Sequence, residues 1–446
     1  MQESRPSYHI WTIGCQMNTA DSRRMASQLE ALGYRPAAVP EKADVLLINT
    51  CVVRQQAEDK AYDQLHELQR IKARHPDRTV AVIGCLVGHK GNPGLKERFP
   101  FVDVFAPPSD PAPLLDHLTQ RRAFNHTLRD ALVNGEIVLP PSQEGAAVAV
   151  FVPVVLGCSH ACTFCVIPYQ RGAEESRPKD DILDEVRRLA DHGVREVTLL
   201  GQIVDRYGLD LGDGSDLAGL LEDVAGVEGI RRVRFLTSHP NWLTDRLLDA
   251  VAAGGKICPS IEVPVQAGND EVLARMRRGY TADDYRRLVE RIRQRVPGAG
   301  IHTDIIVGFP GETEAQFMDT ARLMSELEFD MARIAKYSER PQTLAARTLP
   351  DDVPGEEKER RRVMLEDLLA QGLERKHRGL AGRNVEVLVE ERSRGSRWGG
   401  RTPQNKLVFF EDERELRGRV VQVTLDWTGP FSLIGRAADR MAAGVS

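Results

Sequence analysis

Apolar runs alternate with helical patterns through the first three quarters of the chain. In the first segment, helical stretches separate three apolar runs, which read YHIWTI, VLLINT and TVAVIG. Strands joined by helices of this length favour parallel pairing through crossover connections. We therefore expect an α/β fold that begins with an open parallel-sheet domain at residues 1–125, followed by a linker and an entry strand at 122–150.

From residue 151 the alternation restarts with a longer spacing. Six candidate strands are separated by helical patterns, and they read VPVVLG, EVTLLG, RVRFLTS, IEVPVQ, GIHTDIIVGF and MARIAKYS. Six strand–helix units predict a partial (β/α)6 barrel, which falls short of the eight units of a complete barrel. We place this central domain at 145–375.

The carboxyl-terminal part changes period. A charged helical pattern at 355–378 leads to four runs with alternating apolar positions and glycines between them, VEVLV, LVFF, VVQVTL and SLIG. A period of two over short runs predicts a small all-β module of barrel or sandwich type, which we place at 376–441.

Composition narrows the class of protein. The chain has 446 residues, of which 41% are hydrophobic and 28% charged, as in a soluble protein of several domains. The net charge of −5 means that any binding of nucleic acid must come from a local basic patch. The start of the chain has no apolar run of signal-peptide length, and no stretch approaches the length of a membrane span. We expect a cytoplasmic protein without a membrane partner.

Three of the seven cysteines lie close together in GCSHACTFC, directly after the first barrel strand. Cys158, Cys162 and Cys165, the signature trio, stand where barrel enzymes carry their active sites. Three thiolates can hold three irons of a [4Fe–4S] cluster and leave the fourth iron for a small molecule such as S-adenosylmethionine (SAM). The alternative is a zinc knuckle with a distant fourth ligand, such as His160 or His239.

Cys15, Cys51 and Cys85, the amino-terminal trio, each follow one of the three apolar runs of the first segment. The carboxyl ends of parallel strands meet at one edge of a sheet, so these thiols are expected to form a second three-cysteine site. The alternative is three buried cysteines that pack as small hydrophobic residues. Cys258 belongs to neither trio and is expected in the core.

Several segments carry a resemblance to a known family. GCSHACTFCVIPYQRGAEESRP resembles the signature of the radical-SAM methylthiotransferases, and GRTPQNKLVFF looks like the TRAM RNA-binding module. Further similar segments are LLGQ, FLTSHP, VPVQAGND, MRRGYT, DIIVGFPGET and YSERPQT in the barrel, and GCQMN, INTCVVR and VIGC before it. The resemblance covers nearly the whole chain and implies that the β module is a TRAM barrel.

The resemblance also implies the chemistry. The signature trio would hold the cluster that binds SAM, and the amino-terminal trio would hold an auxiliary [4Fe–4S] cluster that carries an exogenous sulfur. One SAM would methylate this sulfur, and a second would give the 5′-deoxyadenosyl radical that activates a carbon for methylthio transfer. The implied partners are tRNA, an electron-donor protein and a sulfur or iron–sulfur cluster donor. We expect a monomer and assign no catalytic side chain.

Further residues are candidates for SAM or RNA. For SAM they are Phe164, Gly201, Gln202, Glu262, Gln266 and Asp304, with core packing or strand-edge hydrogen bonding as the alternative. Arg171, Arg177 and Arg340 are candidates for the SAM carboxylate or substrate phosphates, with plain solvation as the alternative. In the β module the basic cluster of Arg392, Arg394, Arg397, Arg401 and Lys406 lies beside Trp398. We expect Arg397, Arg401 and Lys406 to neutralise phosphates and Trp398 to stack a base, with a solvated loop as the alternative.

Three substrates occur within the family: isopentenylated adenosine beside the tRNA anticodon, threonylcarbamoylated adenosine at the same place, and a ribosomal-protein aspartate. Tyr169 and the form of the TRAM segment favour the first. Departures from the family pattern are Ile203 and Asp205 in place of two Asn, Glu174 and Glu175 in an Arg-rich stretch, and Ala267 in place of Ser. The alternative from a different class is a non-enzymatic iron–sulfur protein that binds RNA.

Overall fold

The computed structural model describes residues 5–121, 138–393 and 397–438. Most of the predicted linker, Arg394 and the predicted boundaries at 125 and 441 lie outside these residues. Within them, no helix is both long enough and apolar enough to cross a membrane.

The first domain is a five-stranded parallel sheet in the order β2-β1-β3-β4-β5. Strands β3 and β4 are buried at every position, because helices cover both faces of the sheet. The predicted open parallel sheet is thereby confirmed. The strands are Ser7–Thr12 (β1), Arg35–Pro36 (β2), Val45–Thr50 (β3), Thr79–Gly84 (β4) and Val104–Ala106 (β5), and the helices are Gln16–Ala31, Gln55–Arg74, Pro93–Arg98 and Ala112–Arg121.

The central domain is a partial barrel of six parallel strands. It consists of two three-stranded sheets, β10-β9-β6 and β11-β12-β13, which a parallel bridge between Val233 and Ile257 joins. The strands are Ala149–Pro153 (β6), Glu196–Leu200 (β9), Arg232–Leu236 (β10), Ser260–Glu262 (β11), Gly300–Val307 (β12) and Met331–Lys336 (β13). A short antiparallel pair, Val155–Leu156 (β7) and Glu175–Ser176 (β8), follows the first strand.

Helices on the outside of the barrel bury one apolar face against these strands. Thr281 and Thr313 begin two of them with capping boxes, in which the threonine and the third helical residue satisfy each other's backbone N–H groups. The barrel helices are Ile167–Arg171, Lys179–Asp191, Leu217–Gly226, Asp245–Ala252, Asp270–Arg275, Ala282–Arg295, Glu314–Leu327 and Leu344–Thr348.

The helix Gly355–Arg378, here the flank helix, leads to a closed five-stranded barrel in the order β14-β15-β16-β18-β17. The predicted β module is thus confirmed as a barrel. Its strands are Asn384–Arg392 (β14), Trp398–Arg401 (β15), Leu407–Glu411 (β16), Val420–Thr428 (β17) and Leu433–Ala437 (β18).

The two outer domains contact opposite ends of the central barrel. Arg232, which begins β10, forms an ion pair with Glu386 of the small barrel at 2.8 Å, and Arg234 of the same strand donates to the carbonyls of Thr402 and Pro403 at 2.8 and 2.7 Å. Arg340, beyond the carboxyl end of β13, forms an ion pair with Glu58 of the first domain at 2.6 Å. The first domain therefore shares the edge where the signature trio lies.

Candidate functional site

The amino-terminal trio follows three adjacent strands. Strand β1 pairs with β3, and β3 pairs with β4, so their carboxyl ends lie side by side as predicted. Gly14 packs so closely on Cys51 that a Cβ at Gly14 would lie 2.6 Å from the Cβ of Cys51. Its φ of +139° also favours glycine. This glycine brings Cys15 close to the strand end that carries Cys51.

Buried amides support the strand ends of the amino-terminal trio. Asn18 donates from Nδ2 to Asn49 Oδ1 at 2.7 Å and to the carbonyl of Thr50 at 2.9 Å. The Asn18 Oδ1 accepts a bond from Cys15 Sγ at 3.4 Å. These bonds fix the turn after β1 relative to β3.

The signature trio lies in the loop between β7 and the helix Ile167–Arg171. The backbone N–H of His160 donates to Cys158 Sγ at 3.4 Å, and the N–H of Cys165 donates to the carbonyl of Cys162 at 3.2 Å. Gly157 precedes the loop at φ +65°, where a Cβ would lie 1.9 Å from the carbonyl oxygen of Ala173. The compact turn therefore requires glycine at this position.

Four thiols of the two trios, those of Cys51, Cys85, Cys158 and Cys165, have a raised pKa in the protein alone. Burial raises the pKa of Cys51 and of Cys158 to about 11 and that of Cys165 to about 12. Burial likewise raises the pKa of Cys85, although Arg171 opposes the shift. Buried thiols of this kind become thiolates when a cation such as iron binds them, so the donor sets of both trios fit iron–sulfur clusters.

Within the described part of the chain, no group of three or more His, Cys, Asp or Glu could hold a single metal ion. A [4Fe–4S] cluster takes one thiolate per iron and does not require the thiols to converge on one ion.

One short segment touches both trios. Arg171 is buried at the end of the helix Ile167–Arg171 and contacts Asp21 Oδ2 at 3.4 Å. Burial alone would lower the pKa of Arg171, but Cys85, Asp21 and Cys15 outweigh it and raise this pKa. The next carbonyl, of Gly172, accepts the backbone N–H of Cys158 at 3.1 Å. The helix that follows the signature trio is therefore packed on the amino-terminal trio.

Arg278 is a buried cation beside the signature trio. Its Nη1 donates to Cys162 Sγ at 3.1 Å, while Nε donates to the hydroxyl of Tyr280 at 3.0 Å. Its side chain comes from the MRRGYT segment, 116 residues away along the chain. The sequence analysis did not predict Arg278 as a neighbour of Cys162. The one indication in the sequence was that the MRRGYT segment is similar to the family.

Four polar groups meet in the barrel. Arg333 Nη1 lies 3.1 Å from Glu262 Oε2 and 3.6 Å from Asp304 Oδ1. The Oδ1 atom of Asp304 is buried without a hydrogen-bond partner among the described residues. The backbone N–H of Gln266, a residue at φ +74°, donates to the carbonyl of Asp304 at 2.9 Å. The structure thus brings together three of the predicted SAM residues and adds Arg333, which the sequence analysis missed.

The other predicted SAM residues are Phe164, Gly201 and Gln202, which lie outside this group. Phe164 is half-buried and meets Phe309 edge to face, with ring centroids 6.4 Å apart. A Cβ at Gly201 would lie 2.9 Å from Cα of Val204, so close packing alone accounts for this glycine. Gln202 is half-buried after β9.

Trp398 was predicted to stack an RNA base, and the structure contradicts this. Its side chain is fully buried in the core of the small barrel, and Nε1 donates to the carbonyl of Arg414 at 3.1 Å. A ring enclosed in this way leaves no face for a nucleotide.

The basic residues predicted around Trp398 are engaged by carboxylates. Lys406 is directed at the central barrel, where it contacts Asp330 at 2.8 Å. Arg397 contacts Glu411 at 3.0 Å and Arg401 contacts Glu390 at 3.3 Å. The RNA role of these residues stays a prediction, weakened by the pairing.

The three arginines predicted to meet SAM or phosphates bind protein groups instead. Arg171 contacts Asp21, Arg177 contacts Glu185 at 2.8 Å, and Arg340 contacts Glu58. They attach elements and domains to one another.

Comparison with known proteins places each domain in a described family. Residues 152–324 match the radical SAM superfamily, residues 380–438 match the TRAM domain, and residues 7–106 match the "Uncharacterized protein family UPF0004". A protein of Roseiflexus sp. (strain RS-1) named tRNA-2-methylthio-N(6)-dimethylallyladenosine synthase is 44% identical over 96% of this chain and 89% of its own length. A protein of the same name in Chloroflexus aurantiacus is 45% identical over 96% of this chain and 91% of its own length. A third, in Moorella thermoacetica, is 40% identical over 98% of this chain and 100% of its own length.

Solved structures agree on the fold. The radical SAM methyltransferase TsrM of Kitasatospora setae, with cobalamin and a [4Fe-4S] cluster bound, superposes with a TM-score of 0.52 at 16% identity and covers 77% of each chain. The cobalamin-dependent SAM radical enzyme OxsB gives a TM-score of 0.51 at 12% identity, over 82% of this chain and 56% of its own. At this identity the likeness is one of fold alone.

Proposed function

The chain belongs to the family of the tRNA-2-methylthio-N(6)-dimethylallyladenosine synthases, and from this premise we propose that it converts isopentenyladenosine beside the tRNA anticodon to its 2-methylthio derivative. It is a radical SAM enzyme that uses SAM and a [4Fe–4S] cluster. The observation that carries the proposal is the segment from Ile167 to Gly172, because Arg171 hydrogen-bonds Cys85 and the carbonyl of Gly172 accepts the N–H of Cys158.

The signature trio holds the cluster that binds SAM, and the amino-terminal trio holds a second [4Fe–4S] cluster. When bound, these groups supply radical formation from SAM and a site for the sulfur that is transferred. The protein's own residues bury Cys51, Cys85 and Cys158, supply Arg278 and Arg171 as nearby cations, and join the two sites through one short helix. The domain limits 1–125, 145–375 and 376–441 remain those expected from the sequence.

For SAM, the group with the best support is the pair of Glu262 and Asp304 around Arg333. The Oδ1 of Asp304 is a buried acceptor that Arg333 approaches only to 3.6 Å, too far for a hydrogen bond, and buried acceptors favour a closer donor. The ammonium or ribose hydroxyls of SAM provide such donors. Gln266 contributes through its backbone bond to Asp304, while Phe164, Gly201 and Gln202 remain predictions.

One of the predicted partners is supported by the relatives, and the others are predicted from the sequence alone. A tRNA is the substrate, in line with the names of the relatives. The electron-donor protein, the sulfur or cluster donor, the monomeric state and the cytoplasmic location remain predictions from the sequence.

Two assays test the function. The anaerobically reconstituted protein, with SAM and a reductant, should release 5′-deoxyadenosine; no release would favour a non-enzymatic iron–sulfur RNA-binding protein. Nucleosides of a strain that lacks the gene should lose 2-methylthio-isopentenyladenosine. Loss of the methylthio group from threonylcarbamoyladenosine or from a ribosomal-protein aspartate instead would reassign the substrate.

A further inference from the structure

The hairpin between β17 and β18 carries two exposed aromatic side chains. Trp427 is 51% exposed and Phe431 is 65% exposed, although large apolar residues elsewhere in the small barrel are in its core. We name Trp427, Gly429 and Phe431 the aromatic tip. Neither ring belongs to an apolar core cluster, so packing within the chain does not explain why they are aromatic.

Gly429 holds the indole of Trp427 in place. A Cβ at Gly429 would lie 2.1 Å from the Cη2 atom of Trp427, so the ring lies directly on the backbone of this glycine. The N–H of Gly429 in turn donates to the carbonyl of Ser432 at 3.0 Å, and its carbonyl contacts Nδ1 of His377 at 2.8 Å. The tip is therefore a supported surface of the fold.

Two unpaired arginines lie near the tip, and the acidic neighbour of Trp427, Asp426, is paired with Arg436 at 2.9 Å. Arg378 follows His377 at the end of the flank helix, and the carbonyl of Arg383 accepts the backbone N–H of Leu425, two residues before Trp427. Both arginines are exposed, and among the described residues neither forms a salt bridge within 4 Å. Aromatic rings beside unpaired arginines fit the bases and phosphates of unpaired nucleotides.

The tip is far from the cysteine trios. At its start the flank helix contacts the carboxyl edge of the barrel, where Lys358 bonds the carbonyl of Tyr337 at 3.5 Å. At its end Lys376 contacts Asp330, which precedes β13, at 2.9 Å. The helix has 24 residues, which at about 1.5 Å per residue gives roughly 36 Å. A nucleotide at the tip is thus separated from the target adenosine by about this distance.

Resting on the proposed function, we propose that the aromatic tip stacks an unpaired nucleotide of the tRNA body, outside the anticodon stem–loop. RNA is favoured as the occupant because the unpaired exposed charges beside the rings are the guanidinium groups of Arg378 and Arg383, which complement phosphates, while Asp426 is paired with Arg436. The tip replaces Trp398 as the stacking surface of the small barrel.

The test compares two RNA probes by equilibrium titration. Trp427→Ala and Phe431→Ala should each weaken binding of a full-length tRNA transcript by roughly 5- to 150-fold, since stacking on a ring contributes ~1–3 kcal/mol per base. Binding of an isolated anticodon stem–loop should stay unchanged. Trp427→Phe and Phe431→Tyr keep a ring and should keep binding, and Val363→Ala, which trims an exposed apolar residue of the flank helix, is the matched control.

The outcomes separate this proposal from the proposed function. Equal losses on both probes, or no loss on either, would overturn the stacking role at the tip. A change in sedimentation of the alanine variants without a change in RNA affinity would instead assign the tip to contact between copies. Failure of the wild-type protein to bind tRNA at all would overturn the proposed function itself.

Discussion

Asp205 is a half-buried carboxyl near the signature trio. Its two oxygens accept the backbone N–H of His239 at 3.1 and 3.0 Å, and burial raises its pKa to about 8. It stands where the family pattern has an asparagine. Because the unfolded chain loses this proton near pH 4 and the folded protein holds it to about pH 8, Asp205 makes stability fall as pH rises between these values.

Asp205→Asn should remove this pH dependence. An amide accepts the same backbone N–H without a charge to bury, so the variant should be more stable than wild type at pH 8 by roughly 2–4 kcal/mol. Below about pH 4 the two proteins should match. Thermal unfolding at a series of pH values measures the difference, with the exposed Asp63→Asn as control. A difference that stays constant with pH would contradict the account.

The charge of Arg278 should control the cluster of the signature trio. Arg171 has Asp21 as a partner, whereas the described ion pairs give Arg278 no carboxylate. A nearby positive charge and a hydrogen bond to a ligand sulfur favour the reduced cluster. Arg278→Met should therefore shift the midpoint potential of this cluster to a more negative value, and Arg278→Lys should shift it less.

A redox titration followed by electron paramagnetic resonance measures this potential in the loaded protein. Arg277→Met is the matched control, since it removes an exposed charge one residue away. Equal potentials for wild type and Arg278→Met would show that the bond to Cys162 is not maintained around the cluster.

Among the connecting elements, the loop that begins at Gly157 depends most on backbone shape. Gly157→Ala places a methyl group against the carbonyl of Ala173, which cannot move without shifting the segment after the signature trio. The variant should lose the SAM-binding cluster and keep the auxiliary one, so that iron per chain falls by about half.

Gly145→Ala is the control for this substitution. It changes a glycine of similar φ, +68°, with nothing within 4 Å of the added methyl, so it introduces backbone strain without the clash. Iron analysis and the visible spectrum give the readout. Full iron content in Gly157→Ala would contradict the tight fit.

At the level of elements, the sequence indicated where the strands lie, but not in every case which side chains of a strand face the core. The runs VLLINT and TVAVIG were recognisable because strands covered on both faces are apolar throughout. In the small barrel the period of two is clear, yet a shift of one residue exchanges the inner and outer faces. The basic side chains around Trp398 suggested an exposed ring, whereas β15 directs it into the core.

Across the whole molecule, topology made the cysteine sites predictable. Parallel strands end at one edge, so cysteines after β1, β3 and β4 had to meet there. No comparable rule predicts which side chains from distant segments of the chain come into contact. Arg278 beside Cys162 and Arg171 beside Cys85 depend on how the helices and domains pack, and the local sequence pattern carries no information on that.

The central claim is that two cysteine trios hold two clusters that act together on one adenosine. The most direct test measures iron content, SAM cleavage and methylthio product in wild type and in the variant with Cys15, Cys51 and Cys85 all replaced by Ala. Wild type should hold about eight irons per chain and give the product, while the variant should hold about four, still cleave SAM, and give none. A variant that keeps all its iron, or that forms the methylthio nucleoside as wild type does, would contradict the account.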